Sequence, residues 1–149
     1  MEDHPDAGDG LYAAVCVNEK GVAITGTVSA SGSDAWKEAD PYVDEGLREA
    51  VIPCLAAATA STAKEAVEVL CKAVDTYGSA EGNVILMADQ KEAWILEIYG
   101  GKQYAAMKLA DDQVAVFGNH FMIGAIDPED TENFVVSKDF VKTLDKAEL

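Results

Sequence analysis

The stretch Asn83-Val84-Ile85-Leu86-Met87-Ala88, Asp89-Gln90-Lys91-Glu92, Ala93-Trp94-Ile95-Leu96-Glu97-Ile98-Tyr99, Gly100-Gly101 decides the fold class. Two apolar runs of strand length are separated by a polar tetrad and closed by paired glycines, the punctuation of a sheet. Connections this short join antiparallel neighbours, since a parallel partner needs a crossover of a dozen residues or more. Gln103 to Leu109 extends the pattern as a third strand and Gln113 to Phe117 as a fourth, giving an antiparallel meander.

Upstream lies the clearest helical signal. Thr62 stands three residues before Glu65, a capping-box spacing. Val67, Leu70, Cys71, Val74 and Tyr77 then recur along one helical face, and Gly78 supplies the stop. A shorter helix is expected from Asp44 to Ile52, with Pro53 breaking it or opening a new one. Ser29 to Pro41 reads as a loop around Trp36. Before it, Leu11 to Val17 and Val22 to Val28 read as strands of a hairpin turning through Asn18-Glu19-Lys20-Gly21. Downstream, Asn119 to Thr131 is irregular, and Ser137 to Ala147 is expected as a helix capped by Ser137. Strands, helices, then strands argue an α+β layered domain rather than a doubly wound α/β fold. The length of 149 residues suits a single domain. Residues 1–9 read as a flexible tail.

Composition removes several function classes. Asp and Glu total 27 against 11 Lys and Arg, a formal charge of −16. A field of that sign repels phosphate backbones and anionic lipid, so neither nucleic acid nor a membrane surface is an expected partner. No apolar run reaches the length of a membrane-spanning helix. The acidic start Met1-Glu2-Asp3-His4 is unlike an export signal. Cys16, Cys54 and Cys71 are odd in number and lack CxxC spacing, which suits reduced thiols and a cytoplasmic location. His4 and His120 have no zinc-motif spacing, so no metal or other cofactor is expected.

Nucleophile-elbow and phosphate-loop patterns are absent. Each cysteine reads as a small hydrophobe: Cys71 on the helix stripe, Cys16 within a strand, Cys54 in an alanine-rich helix without a neighbouring cation. His120 follows a strand end, where site residues gather, although a single histidine is more often structural. Asn18 and Asn119 each stand beside a turn at a strand end. Their amides suit turn geometry, and they equally suit donation to a developing oxyanion in acyl transfer. The residues alone leave both roles open.

Val17-Asn18-Glu19-Lys20-Gly21-Val22-Ala23 resembles the hairpin of cysteine N-terminal-nucleophile hydrolases, a group including C69 dipeptidases, bile salt hydrolases and penicillin V acylases. Asp40-Pro41, Gly46, Ile52-Pro53, Tyr77-Gly78, Glu81-Gly82-Asn83, Met87-Ala88-Asp89, the segment Ala93 to Gly101 and the strand ending at Asn119 resemble the C69 dipeptidases in particular. The likeness covers about residues 9 to 145. It implies an αββα sandwich of two stacked antiparallel sheets with flanking helices, and hydrolysis of a dipeptide or small amide by a cysteine whose own α-amine is its base. Asn18 and Asn119 match the two asparagines that the family places at the oxyanion site.

The departures from the family are equally definite. The family's cysteine begins the mature chain and is followed by an Arg-Asn-Glu-Asp-like segment. Met1 to Asp9 contains no cysteine, and Cys16 falls inside a hairpin strand. The resemblance therefore implies a single partial domain over residues 1–149, an internal fragment that keeps two supporting residues and lacks the nucleophile, inactive alone. Exposed sheet edges and faces then favour a homo-oligomer. The alternatives are a non-catalytic relic or binding module on the same scaffold, or an amide hydrolase of the bile salt or penicillin acylase type. The pattern from Trp94 to Gly101 disfavours the last.

Overall fold

The computed structural model describes residues 13–116 and 118–149. The order of elements is β1 (Val15–Val17), β2 (Ala23–Ala30), α1 (Asp34–Ala39), α2 (Ile52–Thr59), α3 (Ala63–Tyr77), β3 (Gly82–Ala88), β4 (Ala93–Ile98), β5 (Tyr104–Lys108), β6 (Phe134–Val136) and α4 (Phe140–Lys146). The strands form one antiparallel sheet in the order β1-β2-β3-β4-β5-β6. This is the expected α+β class. The resemblance implied two stacked sheets; the described residues build one.

Strand alternation divides the sheet into two faces. Cys16, Ile24, Ile85, Met87, Trp94, Leu96 and Ile98 point toward α2 and α3. Against them pack Val67, Leu70 and Val74 of α3, each fully buried and each contributing about 1.5–3 kcal/mol. Lys64 lies over the Trp94 ring at 4.1 Å and covers the rim of this core. The opposite face carries Val84, Ile95, Leu86 and Met107, covered at one end by Ala115, Phe121 and Ile123. No other described residue covers its other end, where Val15 and Val17 of β1 are 65% and 67% exposed.

The helix α3 starts where its cap requires. Thr62 accepts from the Glu65 amide at 3.1 Å, and the Glu65 carboxylate reaches back to the Ser61 amide at 2.7 Å, one residue beyond a reciprocal box. Asp89, in the β3–β4 turn, accepts from Ala63 at 2.8 Å and closes a second amide of the first turn. Gly78 ends the helix at a φ of +80°, a conformation that favours glycine.

Four local expectations are corrected. The helix expected over Asp44 to Ile52 begins instead at Ile52, with Pro53 in its first turn. Leu47 bonds across to Gly78 at 2.8 Å and to Ala80 at 2.9 Å, so its backbone groups are taken by a strand-like bridge before a helix can claim them. The loop expected over Ser29 to Pro41 is partly ordered: β2 runs on to Ala30, and Ser33 accepts from the Trp36 amide at 3.2 Å to start α1. Gln113 to Val116 forms no strand, and Phe117 lies outside the described residues. The fourth strand of the meander is instead β6, in residues 132–136, between the segment read as irregular and the expected helix.

Ser137 does not cap α4 either; it donates to Gln103 at 2.6 Å and accepts from the Tyr104 amide at 3.2 Å, and the helix begins after Asp139. The start of the first predicted strand, Leu11-Tyr12, and the tail 1–9 lie outside the described residues.

Candidate active site

The segments quoted for the resemblance interlock. Asp40 is buried, and its carboxylate accepts from the Lys102 amide at 3.0 and 3.1 Å and from the Gln103 amide at 2.8 Å, fixing the β4–β5 turn. A side chain on Gly100 would stand 2.3 Å from that carboxylate, and one on Gly101 would stand 2.0 Å from the Pro41 carbonyl. The paired glycines are therefore required by close backbone approach. Glu81 accepts from the Glu49 amide at 2.6 Å and faces Arg48 at 3.8 Å, tying the α2 approach to the head of β3.

Asn18 sits in the β1–β2 turn. Its amide nitrogen donates to the carbonyls of Ala57 at 2.9 Å and Ala60 at 2.7 Å, at the end of α2. Its side-chain oxygen accepts from the Lys20 and Val22 amides at 3.0 and 3.1 Å. Both amide hydrogens are thus committed to helix carbonyls that would otherwise lack partners.

Asn119 occupies a different neighbourhood. Its side-chain oxygen accepts from the Thr27 hydroxyl at 2.5 Å, on the sheet face away from α2 and α3. Its amide nitrogen has no hydrogen-bond partner among the described residues. Thr27 lies five positions along the chain from Val22, about 17 Å of extended strand. The structure does not bring the two asparagines together.

Around Asn119 the sheet supplies a buried anchor that the sequence reading passed over. Glu97 is fully buried, in the same cross-strand row as Thr27 and Val84. Its carboxylate accepts from the Met122 amide at 2.5 Å, the Ile123 amide at 3.2 Å and the Tyr99 hydroxyl at 2.8 Å. An anion in such a place is tolerable only with several donors on it. Burial first, and then the Glu97 charge, raise the Tyr99 phenol far above its ordinary range, so Tyr99 remains a proton donor. Phe121 packs edge-on against Tyr99 with ring centres 4.7 Å apart. Together these contacts press the segment that follows Asn119 onto the sheet. The available signal was a single acid within the apolar run Trp94 to Tyr99.

Beyond Tyr99 a cavity of about 520 Å³ opens between α1, α4 and this segment, lined by Trp36, Tyr99, Ile123, Phe140 and Leu144 among others. Its walls are mainly apolar, and no cysteine is among its described lining residues. His120, beside Asn119, is exposed. No group of three or more His, Cys, Asp or Glu side chains among the described residues is arranged to hold a metal.

Two of the three thiols, Cys16 and Cys71, are held away from the thiolate form. Cys71 is buried within the helix–sheet core, where burial first and then nearby Asp75 push its thiol up to about 12. Cys16 is also raised, by burial and then by its neighbour Cys54 at 3.5 Å. The thiolate is the reactive form, so a raised thiol is a poor nucleophile near neutrality.

The family model described as peptidase family C69 matches residues 2–149, and the chain belongs to that family. It is 42% identical over 138 residues to a probable dipeptidase B of Streptococcus pyogenes serotype M1, covering 93% of this chain and 28% of that protein. A probable dipeptidase of Latilactobacillus sakei is 36% identical over 133 residues, covering 89% of this chain and 28% of the relative. A probable dipeptidase B of Lactococcus lactis subsp. lactis is 31% identical over 137 residues, with shares of 92% and 29%. The chain therefore spans under a third of the length of these relatives. It is a peptide-hydrolase sequence at the level of the family.

Proposed function

We propose that this chain forms part of a dipeptidase that cleaves the amide bond of dipeptides with an N-terminal cysteine, and that this cysteine lies outside the 149 residues. The observation that carries the reading is the combination of a family match over residues 2–149 with two thiols held less acidic than free cysteine and the third, Cys54, paired with one of them. The missing nucleophile would attack the substrate carbonyl as thiolate, its own α-amine taking the proton. Asn119, whose amide nitrogen has no partner among the described residues, is the donor we assign to the oxyanion. Asn18 supports the site by holding the β1–β2 turn on α2.

The αββα architecture belongs to the same proposal. The open sheet face bearing Val15 and Val17 is where a second sheet would stack, since exposed β-branched residues on a sheet face gain from being covered. In the chain alone, a second copy covers that face, which is the basis for expecting a homo-oligomer. No helix among the described residues is long and apolar enough to cross a membrane. A reduced, cytoplasmic setting remains part of the proposal.

The test is kcat/KM for a dipeptide, measured on the reading frame that carries this sequence. Asn119→Ala is expected to lose about 10²–10³-fold, the usual effect of removing one oxyanion donor. Undiminished turnover would overturn the assignment of Asn119.

A further inference from the structure

We infer that Cys16 and Cys54 form a thiol–disulfide exchange site, able to close an intramolecular disulfide between β1 and α2 when a low-molecular-weight disulfide is present. The two sulfurs stand 3.5 Å apart although 38 residues separate them in the chain. Both side chains are half-buried and so within reach of a small oxidant, whereas the third thiol, Cys71, is buried on α3. Closing the bond requires the sulfurs to approach by about 1.5 Å, within the reach of side-chain rotation.

The backbones on either side are already held together independently of the thiols. Cys16 lies on the α2 side of the sheet, paired in register with Ile24. Two residues further on, Asn18 bonds Ala57 and Ala60, the helical turn after Cys54. The pair is therefore presented for bonding by contacts that do not need the bond, and no large movement of strand or helix is required.

The exchange balances in two steps. One cysteine thiolate attacks the small disulfide, forming a mixed disulfide and displacing one small thiolate, which takes up a proton. The second cysteine thiolate then attacks the protein sulfur of that mixed disulfide and displaces the other small thiol. Two protein S–H bonds and one small-molecule S–S bond are replaced by one protein S–S bond and two small-molecule S–H bonds. The cysteine pair is oxidised by two electrons and the small disulfide is reduced. Proximity favours the second step over accumulation of the mixed disulfide.

The experiment is incubation of the purified chain with oxidised glutathione at mildly alkaline pH, followed by thiol titration in denaturant and non-reducing peptide mapping. Free thiols are expected to fall from three to one, with the Cys16 and Cys54 peptides joined and reductant restoring all three. Cys16→Ser and Cys54→Ser are each expected to abolish the link and to leave a glutathione adduct on the remaining partner. Three surviving thiols, a stable double adduct, a link through Cys71, or a link between chains would overturn the inference. So would a Cys16-containing crosslink that persists in Cys54→Ser.

Discussion

Replacing Glu97 by Gln tests how the Asn119 segment is held. The carboxylate is fully buried and receives Met122, Ile123 and Tyr99, so the substitution keeps shape while removing charge from the two amide bonds and setting an –NH2, which cannot accept, against the Tyr99 hydroxyl. Bonds to a charged acceptor contribute about 1.5–3 kcal/mol and neutral ones about 0.5–1.5, so the three bonds together lose about 3 kcal/mol. A neutral amide is easier to bury than a carboxylate, which offsets part of that loss and leaves about 1–3 kcal/mol. At about 2 kcal/mol per molar urea, the unfolding midpoint should fall by roughly 1 M. Hydrogen exchange should quicken first at Met122 and Ile123, because their acceptor is weakened. Glu97→Leu, which leaves both amides without an acceptor, should be worse than Glu97→Gln. A Glu97→Gln chain with the wild-type midpoint and unchanged protection at both amides would refute the account of the anchor.

Other outcomes follow from the same geometry. Asn18→Ala removes two donors from the end of α2 and should cost about 2–4 kcal/mol, read as a lowered thermal midpoint. Asp89 is held below its ordinary range chiefly by the Ala63 amide, so its folded-state pKa is depressed. Its contribution is therefore present above the unfolded value near about 3.9 and is lost as pH falls through the lower folded value, and Asp89→Asn should flatten that part of the stability–pH curve. Light scattering should show the chain self-associated through the face carrying Val15 and Val17, and Val15→Lys with Val17→Lys should reduce the association.

The readable parts of this fold are those specified by neighbours in sequence. Helix α3 announced itself because Thr62, its periodic stripe and Gly78 all act within the helix. Strands β2 to β5 were legible because each is long, apolar and joined to a neighbour by a short turn or, before β3, by a strong stop. What escaped depends on distant partners. Leu47 abandons a helix because Gly78 and Ala80 offer it backbone bonds. Strand β6 is three residues long and exists by virtue of β5. At the candidate site, both asparagines were identifiable as strand-end residues. That Asn18 would bond α2 and that Asn119 would meet Thr27, 92 residues away, no local pattern could reveal. Glu97 was visible as a misfit in an apolar run, yet its purpose appears only once the segment at Met122 folds back over it.

The most direct test of the central claim is dipeptide turnover by the purified chain itself, with and without Cys16→Ala. Since Cys16 and Cys71 are held less acidic than a free thiol and Cys54 is paired with Cys16, the account predicts no turnover above background for either protein. Measurable hydrolysis that Cys16→Ala abolishes would contradict it, and would place the nucleophile within these residues.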